Sequence, residues 1–281
     1  MNDLVTFESS ELKEVANILG IKTGNTAPEI LKVPELAINF KSRDKDTKKP
    51  IPEGYFYLKN HHDRFFAETA TFRPLCSHIQ YFQWGEVDGE RRLICKSRPI
   101  NNAREEARDT LGGIACGTPS WEAQKEMSYD EAKKWRDMKH RIVRGLVTMS
   151  GKTVDGEEKS VENLPCILFL KNTSYGGFYH EFIKKIPKNR NLFEYQCTLR
   201  SDYRENGSVS WYVYKYDVDM STTLPMTSQV IETMKVFAEN IDKETKWVDQ
   251  KYFEALRENV LDEVAIDALG DSLDDDFEEA V

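Results

Sequence analysis

Eight short runs of aromatic and β-branched residues, bounded by turn-forming residues, constrain this 281-residue chain more than any other feature. They fall in two blocks. Tyr55–Lys59, Arg64–Phe72, Ile79–Trp84 and Arg91–Lys96 are separated by 60–63, by Pro74 and by the Val87-Asp88-Gly89 turn signal. Arg141–Met149, Leu164–Lys171, Leu192–Arg200 and Ser210–Val218 form the second block, with hairpin loops expected at 151–157 and 205–208. Such runs favour strands, because branched and flat side chains pack well on a pleated surface. Strands this numerous and short predict a barrel or sandwich. Periodicity alone does not choose between the two.

Helical pattern is confined to four places. Leu12, Val15, Ala16 and Leu19 recur at helical spacing in 10–20, with Gly20 as a stop. Residues 97–139 change to polar, alanine-containing stretches around Gly112-Gly113 and Gly117-Thr118-Pro119, which reads as an insertion of short helices and loops. Residues 178–186 read as a short helix between strands. Beyond Thr227 or Ser228 as N-cap, Val230, Met234, Phe237 and Ile241 follow a spacing of three to four. The expected organisation is an N-terminal helix and loop (1–53), a β-rich core (54–220), a C-terminal helical segment (221–257) and an acidic, disordered tail (258–281). The fold class is β-rich α+β. A helix after the third or fourth strand is compatible with an OB-like β-barrel core.

Charge is distributed unevenly. The formal net charge is −9, but the stretch from Glu258 to Val281 holds ten acidic residues and no basic one, which leaves 39 basic and 38 acidic residues in the body. The low pI therefore belongs to the tail and does not exclude a nucleic-acid surface. With 40% apolar residues, wholesale disorder is excluded. No apolar run approaches the ~20 residues needed to cross a bilayer, and the N-terminus lacks the apolar region of a secretory signal. Five widely spaced cysteines (Cys76, Cys95, Cys116, Cys166, Cys197) then read as reduced thiols of a cytoplasm.

The segment Cys166–Tyr216 combines twelve aromatic residues with eight Lys or Arg against four acids. Cations neutralise phosphates and flat rings stack on unpaired bases at about 1–3 kcal/mol each, so the two together suit single strands. Most strand aromatics are core. Alternation puts Phe193, Tyr195, Cys197 and Leu199 on one face, and Tyr212, Tyr214 and Tyr216 on another. Trp211 and Lys215 share the opposite face and form the better stacking pair. Tyr175 and Tyr179 flank glycines in a loop, and Tyr203 lies between Arg200 and Arg204. Lys171 closes the preceding strand. In the first block, Arg64, Arg73, Arg92 and Lys96 are interleaved with aromatics, among them Trp84. These residues form the expected nucleic-acid-binding set.

Other chemistry is weakly supported. Phosphate-loop, dinucleotide, zincin and nucleophile-elbow motifs are not found, so no catalytic residue and no cofactor are expected. Cys76-x-His78 with Cys95 and Cys116 offers four soft or borderline ligands but only one close pair, so buried free cysteines and a loop histidine are the better reading. His61 and His62 are adjacent, which would point them apart on a strand; they read as loop residues. Asp217 and Asp219 on one strand face would suit a Mg²⁺ nuclease only with a third carboxylate.

Taken together, Phe82-Gln83-Trp84 with the turn and Leu93–Ser97, the Gly/Cys stretch 112–117, the segment Leu164–Ile183 and the strand pair 193–200 and 211–218 resemble single-stranded-DNA-binding proteins of bacteriophages, of the OB-fold type with an acidic C-terminal tail. That resemblance implies a protein of the infected bacterial cytoplasm that protects exposed strands in DNA replication or recombination. It would recruit replication proteins through the tail, where Leu269, Leu273 and Phe277 recur every four residues among Asp274, Asp275 and Asp276. The alternatives are an interaction protein acting on host RNA polymerase or nucleases, and a metal-dependent nuclease.

Overall fold

The long alternating runs assemble into a single sheet that dominates the chain. A computed structural model describes residues 33–45 and 47–275. The strands are β1 (Glu35–Ile38), β2 (Phe56–Lys59), β3 (Phe65–Phe66), β4 (Ala70–Val87), β5 (Glu90–Lys96), β6 (Lys139–Thr153), β7 (Glu158–Lys171), β8 (Cys197–Asn206) and β9 (Val209–Val218). Their order is β2-β1-β7-β6-β4-β8-β9, with β3 on β6 and β5 on β4. Every pairing is antiparallel except β1 with β7. The molecule is thus a sheet-rich α+β protein with a C-terminal helix.

Period-two alternation gives the sheet an apolar concave face. Phe72 of β4, Val143 and Val147 of β6, Leu168 and Leu170 of β7, Leu199 of β8 and Tyr216 of β9 are buried there with Leu36 and Phe56. The sheet curls until its edges meet through side chains. Tyr214 Oη of β9 donates to the Leu36 carbonyl of β1 at 3.0 Å, and Phe40 packs edge-on against Tyr212 at 5.6 Å. Gly54 (φ +78) lies under the Tyr212 ring, which a Cβ there would approach to 2.8 Å. The segment after β7 plugs the core. A helix α3 (Asn172–Gly177; α1 and α2 are given below) runs into a π-turn at Phe178–Phe182. Phe178 and Phe182, both fully buried, stack at 5.5 Å.

The insertion between β5 and β6 contains a 3-10 turn (Ala115–Gly117) and two short helices, α1 (Trp121–Glu126) and α2 (Tyr129–Arg136). Ser120 and Ser128 cap them, accepting from Ala123 N and Glu131 N. Helix α4 (Ser228–Asp275) starts where Thr227 Oγ1 accepts from Val230 N at 3.3 Å. It covers the convex face of β4 and β6, burying Val230 and Phe237 on Leu75 and Leu146.

Several expectations need correction. The region assigned to an N-terminal helix and loop contributes strand β1; the helix at 10–20 lies outside the described residues. Pro74 does not separate two strands: β4 runs through it and absorbs it as a bulge between Pro74 and Cys76, since proline has no N–H for the ladder. Leu192–Glu194 is a 3-10 turn capped by Asn191, so β8 begins only at Cys197 and Phe193 packs against the α4 cluster. The boundary expected at Arg257 falls inside α4, whose backbone stays helical to Asp275.

Candidate nucleic-acid interface

Convex-face residues near the β4/β5 end escape the cover of α4. Strand register lines them up: Phe82 opposes Lys96 on β5, and His140 and Ile142 of β6 oppose Lys171 and Phe169 on β7. The Phe82 ring lies 5.1 Å from His140 and 6.3 Å from Phe169 between centroids. Lys96 Nζ sits 5.8 Å above it. Two residues further along, Trp84 is 50% exposed and carries Arg91 over its ring at 5.6 Å. Trp84, Phe82 and Phe169 thus form an aromatic strip edged by Arg91 and Lys171.

The hairpin bearing Trp84 closes in a tight two-residue turn. Asp88 (φ 55) and Gly89 (φ 74) both take the left-handed conformation of a two-residue turn. Along the hairpin Leu93 and Ile94 remain exposed.

A second aromatic–cation group lies on the concave side, at the mouth of the curled sheet. Arg141 stands 4.6 Å over the Tyr175 ring and Lys139 5.3 Å from it. Arg141 also donates to Ser77 Oγ at 3.1 Å and to Tyr175 Oη at 3.3 Å. Burial raises the neighbouring Tyr81 hydroxyl above its ordinary value, with Tyr175 adding to it. On the convex strip, burial lowers His140 below the ordinary imidazole value, and Lys171 lowers it further against the Met138 carbonyl.

The remaining expected residues divide by their partners. Arg73 is structural: nine-tenths buried, it donates to the Phe193 carbonyl at 2.8 Å and to that of Pro225 at 2.9 Å, and desolvation lowers its pKa. Arg64 is held by buried Asp44 at 2.5 Å. Lys96 is tied to Glu244 of α4. Arg92 pairs with Glu90 (3.0 Å), Arg204 with Asp202 (2.7 Å) and Lys215 with Glu181 (2.7 Å). Arg91, Lys139, Lys171 and Arg200 form no salt bridge among the described residues.

Trp211 shares its face with Lys215, as alternation predicts, and lies opposite Arg204. Tyr203 is half exposed, but it lies on the tyrosine face and packs edge-on against Tyr212 at 5.5 Å. Tyr179 is exposed beside His180. Leu269, Leu273, Asp274 and Asp275 lie on the backbone of α4; Asp276 and Phe277 lie outside the described residues.

Sequence reasoning missed Phe82, Phe169, Lys139, Arg141 and the exposed Trp121 and Tyr129 of the insertion. Trp121 carries Lys125 at 5.6 Å and Tyr129 carries Arg136 at 5.1 Å. Helical spacing of an aromatic with a cation four residues on was a usable signal for the first pair.

The cysteine and histidine expectations are partly revised. Cys95 and Cys116 come together with Asp109, their ligand atoms all within 4.8 Å of one another. A hydrogen bond with Cys95, followed by burial, pushes the Cys116 thiol far up. Asp109 is buried and satisfied by backbone: Oδ1 accepts from Leu111 N and Gly113 N, and Oδ2 from Cys116 N. Cys76 and His78 lie elsewhere, in a groove of about 450 Å³ between β4 and α4. His78 belongs to strand β4, not to a loop. His61 and His62 lie outside the strands, as expected of loop residues, with ring centroids 4.2 Å apart and planes tilted by 34°. Asp219 Oδ1 accepts from Ser221 N and Oγ, and neither Asp217 nor Asp219 joins a three-ligand cluster among the described residues.

No family model, curated protein or solved structure matches this chain.

Proposed function

We propose that this chain is a non-enzymatic, sequence-tolerant binder of single-stranded DNA built on an OB-like core. The observation that carries the reading is the convex strip of Trp84, Phe82 and Phe169, margined by Arg91 and Lys171, which form no salt bridge among the described residues. Rings left open on a sheet face stack on bases that are not already stacked in a duplex, and the cations follow the backbone.

The topology supports the core assignment. β4, β6, β7, β8 and β9 stand in the order β7-β6-β4-β8-β9. Renumbered by chain order, that is 3-2-1-4-5, the order of an OB barrel. The helical plug falls between the third and fourth of these strands. In OB folds the loops joining strands one to two and four to five frame the ligand. Here these are the β5 hairpin with its insertion and the β8–β9 turn, which carry Trp84 and Trp211 respectively. In this reading the protein coats strands exposed in phage replication or recombination within the infected cell. The acidic end of α4 recruits replication proteins; its helical backbone to Asp275 suits the helix-in-groove mode of docking. The same feature supports host RNA polymerase as an alternative partner.

Salt dependence tests the proposal. For single strands log K falls with log salt at about −0.7 per neutralised phosphate, so Arg91 and Lys171 at the margins of the strip together give a slope of about −1.4. Tryptophan quenching on an oligo-dT strand is the readout, with duplex DNA binding more weakly. Absence of quenching and of binding at low salt would overturn the proposal. A chain ended at Arg257 binds more tightly at low salt if the acidic segment competes for the surface, and equally if it only docks partners.

A further inference from the structure

We propose that the turn His61–Asp63 is a binding site for a divalent transition cation of the zinc, nickel and copper class. It stands apart from the nucleic-acid surface and does not rest on that reading. Asn60 (φ 62) turns the chain sharply after β2, and that turn brings three adjacent side chains to one side. One ligand atom from each of His61, His62 and Asp63 lies within 4.8 Å of the other two. His62 Nε2 is 3.1 Å from Asp63 Oδ2.

The backbone prepares the first ligand. His61 Nδ1 lies 3.0 Å from the Asp63 carbonyl oxygen. With Nδ1–H donating to that carbonyl, the Nε2 lone pair is left free. This is the arrangement by which metal-binding imidazoles are oriented and held in the right tautomer. In the other tautomer Nδ1 accepts from Asp63 N at 3.2 Å; a bound cation selects the first.

Donor chemistry sets the class of ion. Two imidazoles and one carboxylate suit zinc, nickel and copper, whereas magnesium and calcium take oxygen ligands. Metal–ligand bonds of about 2.0–2.2 Å bring the ligand atoms to roughly 3–3.5 Å of each other. That requires a modest closure, which His62, 81% exposed, makes by side-chain rotation alone. Lys159 Nζ, 3.8 Å from Asp63 Oδ1, is the cation that a metal would displace; its side chain is 38% exposed and can turn towards solvent. Three protein ligands leave coordination positions open to water.

The buried thiols are the competing ligands for such ions, so the experiment must separate nitrogen from sulfur. Reduced full-length protein is titrated with Zn²⁺ by calorimetry and with Co²⁺ by absorption, alongside His62→Ala and His61→Ala. His62 is a solvent-exposed turn residue, so its replacement leaves the fold in place, which circular dichroism checks. The expected result is one zinc bound, at least tenfold weaker binding in each variant, and a cobalt spectrum without a sulfur-to-cobalt charge-transfer band. Unchanged zinc affinity in both variants, a thiolate band that survives His62→Ala, or no binding at millimolar zinc would each overturn the proposal.

Discussion

Replacing Glu244 should loosen the attachment of α4 to the sheet more than any other single change in that interface. Its carboxylate is 7% exposed and faces Arg144, also 7% exposed, at 3.3 Å. It accepts from Gln80 Nε2 at 2.9 Å and holds Lys96. Arg144 Nη1 already lacks a hydrogen-bond partner among the described residues, so Glu244→Ala would leave a buried guanidinium without its counter-ion. Breaking a buried pair from one side costs about 3–5 kcal/mol, because the uncompensated charge stays in a poorly solvating site. Replacing both partners by apolar residues of similar volume is close to neutral. Urea unfolding followed by circular dichroism should therefore show a loss of about that size for Glu244→Ala, largely recovered in Glu244→Met/Arg144→Met. Burial alone would raise the Glu244 carboxyl, but Lys96, Gln80 and Arg144 outweigh it and hold it below the ordinary range. This contribution is present above the unfolded carboxylate value of about 4.3 and is lost as pH falls through the lower folded value. A loss below about 1 kcal/mol, the worth of a solvated surface pair, would refute the account of Glu244 as a buried strut.

Three further outcomes follow from the same geometry. Trp84→Ala should weaken oligo-dT binding by about 1–3 kcal/mol, the worth of one stacking ring, while unfolding midpoints stay unchanged, since Trp84 is half exposed. Arg73→Ala should do the reverse: urea unfolding shifts because the Phe193 and Pro225 carbonyls lose their donor, and the salt slope of binding stays the same. His78 is held down to about 4, by burial first and then by Arg144. The folded state therefore resists protonation that the unfolded chain accepts below about 6.5. Stability should fall as pH drops from about 6.5 towards 4, and His78→Gln should flatten that limb in urea titrations at stepped pH.

Strand positions are legible in the sequence because alternation is a local property. Tyr195, Cys197 and Leu199 announce their shared face from spacing alone, and the structure buries all three. Strand β1 is not legible: Glu35–Ile38 is four residues long, and it is a strand only because β2 and β7 flank it. Pro74 misleads for the opposite reason. It carries a strong local signal against strand, which a bulge in an otherwise long ladder absorbs. The site is harder still. Phe82 and Phe169 are 87 residues apart in the chain and become neighbours only through the β4–β6–β7 register. The partners that occupy Arg73, Lys96 and Lys215 come from distant segments as well. Counting basic residues along the sequence therefore overstates the charge free to meet phosphate.

The position of α4 decides which part of the sheet remains available for a strand. Val230, Phe237 and Val248 are buried in its packing, and full burial of such a side chain is worth about 1.5–3 kcal/mol. Exposing these three side chains by peeling the helix away would cost about 4.5–9 kcal/mol. A sequence-tolerant ligand gaining about 1–3 kcal/mol per stacked base would need several bases to offset that before gaining any affinity. The helix is therefore a fixed wall over β4 and β6, not a lid. On the proposed reading, a bound strand would run past its flank, over Phe82 and Phe169 and along the hairpin to Trp84. This route predicts that Phe169→Ala and Trp84→Ala weaken binding together, whereas substitutions at exposed positions near the start of α4, such as Ile231, leave it unchanged.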